Sequence, residues 1–145
     1  MKRTKKTHPD LIFETKHWEV YLNPDQYCLG RSVVVAKRDV GSMSDLKEEE
    51  WIDFAKLVKR FESGFKEAFG ATMFNWTCLM NNAYQSLPPN PHVHWHFRPR
   101  YAKSVKFEGI KFDDKEFGHH YAKGTDFEVP EKVFLKIIKR IKESL

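Results

Sequence analysis

Leu11 to Asn23 (LIFETKHWEVYLN) interleaves β-branched and aromatic residues with polar ones and runs into Asn23-Pro24-Asp25, which predicts a pair of strands closing at that turn. Arg31 to Lys37 (RSVVVAK) is apolar through its centre, the pattern of a strand buried on both faces and therefore central in a sheet. Helical spacing follows. Trp51, Ile52, Ala55, Val58, Phe61, Phe65 and Phe69 recur at steps of three and four and form a stripe able to cover a sheet face. Ser44-Asp45 supplies the predicted N-cap, Glu48, Glu49 and Glu50 suit the positive end of the dipole, and Gly70 is the expected stop. Thr72 to Met80 reads as a strand, Asn81 to Pro91 as a Pro-rich loop, and His92 to Tyr101 as the last strong strand. Residues 103–129 are irregular, with Gly109, Gly118 and Gly124 as breakers. Pro130 opens a helix over 130–145 whose Phe134, Ile137, Ile138, Ile141 and Leu145 make a second stripe, with cations in its last turns.

A chain of 145 residues with 41% hydrophobic residues, 12 Phe and 4 Trp has the length of one domain and ample apolar surface for a core, which excludes disorder of the whole chain. We expect a basic flexible tail over 1–10 and a single domain over 11–145. No apolar run approaches the ~18 residues of a membrane span. Met1 to Lys6 has the charge of a signal n-region, but Thr7-His8-Pro9-Asp10 stands where an apolar segment would follow, so we expect a cytoplasmic protein. Cys28 and Cys78 make no metal-binding spacing and read as buried free thiols.

The net charge of +5 invites a nucleic-acid reading, but its distribution argues otherwise. The first six residues carry four positive charges, residues 130–145 carry five against two negative, and residues 7–129 hold 16 positive and 18 negative charges. The body is slightly acidic, and neither an RNA-recognition aromatic motif nor finger-type Cys/His spacing is present, so no specific nucleic-acid partner is expected.

The chemistry concentrates in Pro91-His92-Val93-His94-Trp95-His96-Phe97-Arg98-Pro99-Arg100-Tyr101. Alternation along a strand sends Val93, Trp95 and Phe97 to one face, the core, and His92, His94, His96 and Arg98 to the other. A single histidine is commonly structural; three at period two form a site. Two readings follow from the residue types. Two of the imidazoles could hold a metal, with a third ligand from His119, His120, Asp39 or a carboxylate, since the outer pair lie about 13 Å apart along the strand. Alternatively the middle imidazole, mostly neutral at pH 7, is a nucleophile toward phosphorus. Arg98 favours the second, because a guanidinium repels a cation and clamps phosphate.

The run His92-Val93-His94-Trp95-His96-Phe97 resembles the His-x-His-x-His signature of the histidine triad (HIT) family of nucleotide hydrolases and transferases. Arg98-Pro99-Arg100-Tyr101 is similar to the ending of its diadenosine polyphosphate hydrolase-like branch. Phe13 to Pro24 and Arg31 to Val40 resemble the family's hairpin and following strand, and Asn81 stands where the family has an asparagine near the nucleotide. The resemblance covers about residues 11–101 and implies an α+β fold: an antiparallel sheet of about five strands, a long helix on one face, a C-terminal helix, and often a homodimer. It implies His94 as the nucleophile that forms a nucleotidyl-histidine on the α-phosphate, with His92 and His96 orienting it and touching phosphate or leaving group. It assigns Asn23 to the ribose and makes Tyr21 and Leu22 candidates for the base pocket.

Three features depart from the family pattern. Asp39 stands where many members have a further histidine. Leu87, Pro88 and Pro89 occupy the usual Gly-Gln-Ser/Thr stretch, leaving Gln85 and Ser86 as substitutes. The stretch before the first strand is expected to be too short for the helix that often opens proteins of this family.

The expectation is therefore a hydrolase of nucleotide phosphoanhydrides or phosphoramidates, its substrate a dinucleoside polyphosphate or nucleoside phosphoramidate. Arg98 and Arg100 would hold a charged leaving group. No obligatory metal is expected, and Mg²⁺ is expected only as the companion of a polyphosphate substrate. The alternatives are a nucleotide-binding regulatory module with little turnover, and a His-based metal site.

Overall fold

The computed structural model describes residues 9–120 and 127–145; the basic tail of residues 1–8 and the part of the irregular region over 121–126 lie outside them. Five strands, β1 (Leu11–Glu14), β2 (Trp18–Leu22), β3 (Ser32–Ala36), β4 (Met73–Thr77) and β5 (His94–Arg100), form one antiparallel sheet in the order β1-β2-β3-β5-β4. The long helix α1 (Glu48–Phe69) joins β3 to β4 and packs on one face, and α2 (Glu131–Glu143) closes the chain. This is the α+β architecture the resemblance implied, with β3 central in the sheet.

The core forms where the alternation of the strands meets the helical stripe. Phe97 of β5 lies 4.8 Å from Phe61 and 4.9 Å from Phe65 between ring centroids, with Trp76 at 4.6 Å and Phe74 at 5.5 Å from β4. Trp95 stacks on Phe54 at 4.9 Å, and Trp18 reaches the same ring at 5.0 Å. Each aromatic side chain removes a large apolar area from water, and tilted and edge contacts suit the ring quadrupoles.

The helix is turned from the stripe read in the sequence. Phe54 and Leu57 face the core, while Trp51, Ile52 and Ala55 are exposed. The buried series Glu50, Phe54, Leu57, Phe61, Phe65 and Phe69 keeps the same periodicity about a slightly rotated axis, a choice that only the sheet can make. Burying Glu50 is possible because Arg38 grips its carboxylate, with Nε donating at 2.7 Å and Nη2 at 2.9 Å, and because the Lys47 amide donates to it at 2.8 Å. The guanidinium holds the Glu50 carboxyl down to about 2. The N-cap is therefore Lys47 and not Ser44-Asp45, which belong to a separate 3₁₀ turn at Met43–Asp45 capped by Ser42. Gly70 ends α1 in the left-handed conformation, as expected.

β3 alternates instead of being buried on both faces: Val34 is fully buried, whereas Val33 and Val35 are half-buried. Residues 103–120 are more regular than their glycines suggest, because Glu108 (φ 49) and Gly109 (φ 78) form a tight turn between β6 (Val105–Phe107) and β7 (Ile110–Phe112). In α2 the buried residues are Val133, Ile137, Ile138 and Ile141, with Phe134 and Leu145 packed at the margin. Cys28 is buried and Cys78 half-buried, both free, and burial pushes the Cys28 thiol up to about 11. Among the described residues no helix is long and apolar enough to cross a membrane.

Gly30 turns the chain into β3. The Arg31 amide donates to Cys28 O at 2.9 Å, Gly30 has φ 84, and a Cβ there would overlap the Phe65 ring. Gly30→Ala should lose about 2–4 kcal/mol through backbone strain and overpacking, read as a lowered denaturation midpoint with unchanged slope.

Candidate active site

β5 lies between β3 and β4, so its polar face is fixed by ladders on both sides. The register sets His94 opposite Val35, His96 between Val33 and Thr77, and Arg98 opposite Asn75. Tyr21 pairs with Val33 and so belongs to the same face; it is buried, and its hydroxyl donates to Glu19 at 2.8 Å. Leu22 points the other way and is in the core, which corrects its place among base-pocket candidates.

The histidines are ordered by hydrogen bonds to carbonyls, and a carbonyl can only accept. His92, just before β5, therefore donates from Nε2 to Ala36 O at 2.7 Å, and His94 donates from Nδ1 to His92 O at 2.7 Å. The proton on His94 is thereby held at Nδ1, and the lone pair belongs to Nε2. His92 Nδ1 lies 3.7 Å from Asp39 Oδ1, so the acidic residue that replaces the further histidine of many family members sits beside the triad. The rings of His94 and His96 are nearly perpendicular, with centroids 5.1 Å apart. Burial first, then the neighbouring His94, Arg98 and Arg31, push His96 down to about 4, so it is neutral at pH 7. Its Nδ1 is buried without a hydrogen-bond partner, as is Thr77 Oγ1 on the adjoining strand. All three histidines are half-buried.

The two arginines at the end of the run do different things. Arg98 is half-buried on the histidine face. Arg100 is fully buried: it donates to Asp114 from Nε (2.6 Å) and Nη2 (3.0 Å), to Asn75 Oδ1 (3.0 Å), and to the carbonyls of Glu116 (2.6 Å) and His119 (2.9 Å). Its donors are engaged inside the fold, so Arg100 fastens residues 114–119 to β5 instead of extending toward a substrate. Asp114 belongs to Arg100, and Asp113 accepts from Ser104 Oγ.

The remaining candidates are less tightly placed. Asn23, at the end of β2, accepts the Asp25 amide at 2.9 Å. Asn81 caps the 3₁₀ turn Asn82–Gln85 and is exposed. Gln85 and Ser86 are also exposed, and Ser86 Oγ donates to Ala83 O at 2.9 Å. Arg31, Asn75 and Thr77 are on the histidine face and were not singled out in the sequence. The signal available for Arg31 was its parity with Val33 and Val35 in the same strand. Among the described residues no group of three or more His, Cys, Asp or Glu side chains is arranged to hold a metal ion.

The HIT domain family model matches residues 4–103. A histidine triad protein from Sinorhizobium meliloti 1021 superposes with a TM-score of 0.71 at 20% identity, covering 93% of this chain and 88% of that one. A hypothetical histidine triad nucleotide-binding protein from Sulfolobus tokodaii strain7 gives 0.65 at 20% identity, covering 93% and 82%. A Zn-bound histidine triad family protein from Mycobacterium smegmatis gives 0.59 at 15% identity, covering 92% and 81%. No curated protein matches the chain in sequence comparison.

Proposed function

We propose, because this chain belongs to the HIT domain family, that it transfers a nucleotidyl group through His94, acting on the α-phosphate of a dinucleoside polyphosphate or a nucleoside phosphoramidate. The observation that carries this reading is the bond from His94 Nδ1 to His92 O, which leaves the Nε2 lone pair on the polar face of the sheet. In the first step Nε2 attacks phosphorus, the bond from phosphorus to the leaving oxygen or nitrogen breaks, and the leaving group takes up a proton. Water then attacks the same phosphorus, the P–N bond to His94 breaks, and the nucleoside monophosphate departs as the water gives up its proton. His92 orients the nucleophile through its carbonyl, while His96, uncharged at pH 7, adds no positive charge beside it to draw off the lone pair. We place the protein in the cytoplasm as a homodimer, within the diadenosine polyphosphate hydrolase-like branch.

The direct test is mass spectrometry of the protein after brief incubation with dinucleoside polyphosphates and nucleoside phosphoramidates. An added nucleotidyl mass on the peptide containing His94 supports the reading; rapid product release with no adduct at any quench time opposes it.

A second reading rests on the exposed Gln85 and Ser86, whose hydroxyl is turned to Ala83 O: a nucleotide-binding module with little turnover. Stoichiometric nucleotide binding without release of product would favour it.

The reaction as proposed has no obligatory metal. Chelation followed by gel filtration should leave phosphoramidate turnover unchanged, with added Mg²⁺ mattering only for polyphosphate substrates. Zinc lost in proportion to activity would instead move the metal reading to first place.

A further inference from the structure

Continuing the β2–β3 and β3–β5 registers by one residue pair sets Asn23 beside Arg31 and Arg31 beside Arg98, and β4 places Asn75 on the far side of Arg98. The ladder does continue there, since the Asn23 amide donates to Arg31 O at 2.9 Å. With strands about 4.8 Å apart, the four residues make a transverse row about 14 Å long, one pair step (about 7 Å) along the sheet from His96. All four are half-buried.

The row consists of donors. The side-chain oxygens of Asn23 and Asn75 are engaged inside the fold, by the Asp25 amide and by Arg100, whereas neither amide nitrogen has a partner among the described residues. Arg31 is held at Nη1 by Asp25, yet its Nε is buried without a hydrogen-bond partner. A buried nitrogen in that state is costly, and an acceptor from a bound molecule relieves it. Asp25 is itself shared, accepting the amides of Tyr27 and Phe127 at 3.0 Å each.

We propose that Asn23, Arg31, Arg98 and Asn75 form a second anion subsite, which holds a phosphoryl group of the substrate other than the one His94 attacks. The preferred substrate class is then a nucleotide with two separated phosphoryl groups; this rests on the nucleotidyl-transfer reading above. Four residue steps, about 13 Å of strand, lead from His94 to Arg98. Even with the reach of a guanidinium, the group held here is not the one bonded directly to the reacting phosphate. It is a distal phosphate of a polyphosphate chain or a phosphate carried on the ribose, and the experiment separates these sources.

kcat/KM is measured for wild type, Arg31→Gln and Arg31→Lys on a nucleoside 5′-phosphoramidate, on the same compound with a 3′-phosphate, and on dinucleoside polyphosphates of increasing chain length. Wild type should favour one doubly phosphorylated class on the order of tenfold to a hundredfold over the plain phosphoramidate. Arg31→Gln should lower turnover of that class far more than of the plain compound, and Arg31→Lys should retain part of the preference. Which class is favoured identifies the source. If turnover shows no such preference, or if the preference survives Arg31→Gln in a protein that melts like wild type, the subsite is overturned and the transfer reading stands. If no compound is turned over, the transfer reading fails. The subsite is then decided by binding of adenosine 3′,5′-bisphosphate and of a diadenosine polyphosphate against adenosine 5′-monophosphate: tighter binding of either that Arg31→Lys weakens supports it, and equal affinities for all three overturn it.

Discussion

Replacing His94 with alanine is expected to lower nucleotide release by about four orders of magnitude or more, with no nucleotidyl adduct and with the fold intact. The size follows from the role. The substitution removes outright the nucleophile that forms the covalent intermediate, and the Nε2 of His92 is committed to Ala36 O. The fold should survive because the His94 side chain leaves the sheet on the polar side and, among the described residues, hydrogen-bonds only to the carbonyl of His92, at 2.7 Å. Thermal melting and single-turnover kinetics measured together check both halves. Unchanged turnover would end the nucleophile assignment, whereas lost turnover in an unfolded protein would mean that His94 is structural.

Arg100→Ala should unfold the protein far more readily without acting on catalysis directly. The change leaves the Asp114 carboxylate buried without its guanidinium, and breaking a buried pair from one side costs about 3–5 kcal/mol. For a chain of this size that is a fall in Tm of roughly 10 °C. The carbonyls of Glu116 and His119 lose their donor as well, so the 114–119 segment should show faster amide exchange than α1. Arg100→Met combined with Asp114→Leu should recover much of the loss, because replacing both charges removes the orphan. If Arg100→Ala instead melts like wild type and only weakens nucleotide binding, Arg100 is the substrate contact that the sequence suggested and the clamp carries little of the stability.

The two arginines show where the sequence stops being informative. Period-two alternation sends Val93, Trp95 and Phe97 to the helix side and His94, His96 and Arg98 to the other, and this needed nothing beyond strand geometry. By the same rule Arg100 joined the polar face, and it does. What alternation cannot show is what arrives from elsewhere in the chain to meet it. Asp114, 14 residues on, reaches Arg100 because the β6–β7 hairpin turns the chain back, and that turn rests on a left-handed Glu108-Gly109 pair.

The rotation of α1 has the same origin. Spacing fixed a stripe of period 3.6 but not its centre; the Arg38–Glu50 pair and the ring of Phe54 between Trp18 and Trp95 set it, leaving Trp51 and Ile52 exposed. The sequence by itself determined the order of the elements, the two faces of β5 and the histidine row, because these depend on local periodicity. Only the tertiary structure decided which donors remain available on that face, the proton position on His94 and the alignment of Arg31 with Arg98, because each depends on a partner brought near by the pairing of distant strands.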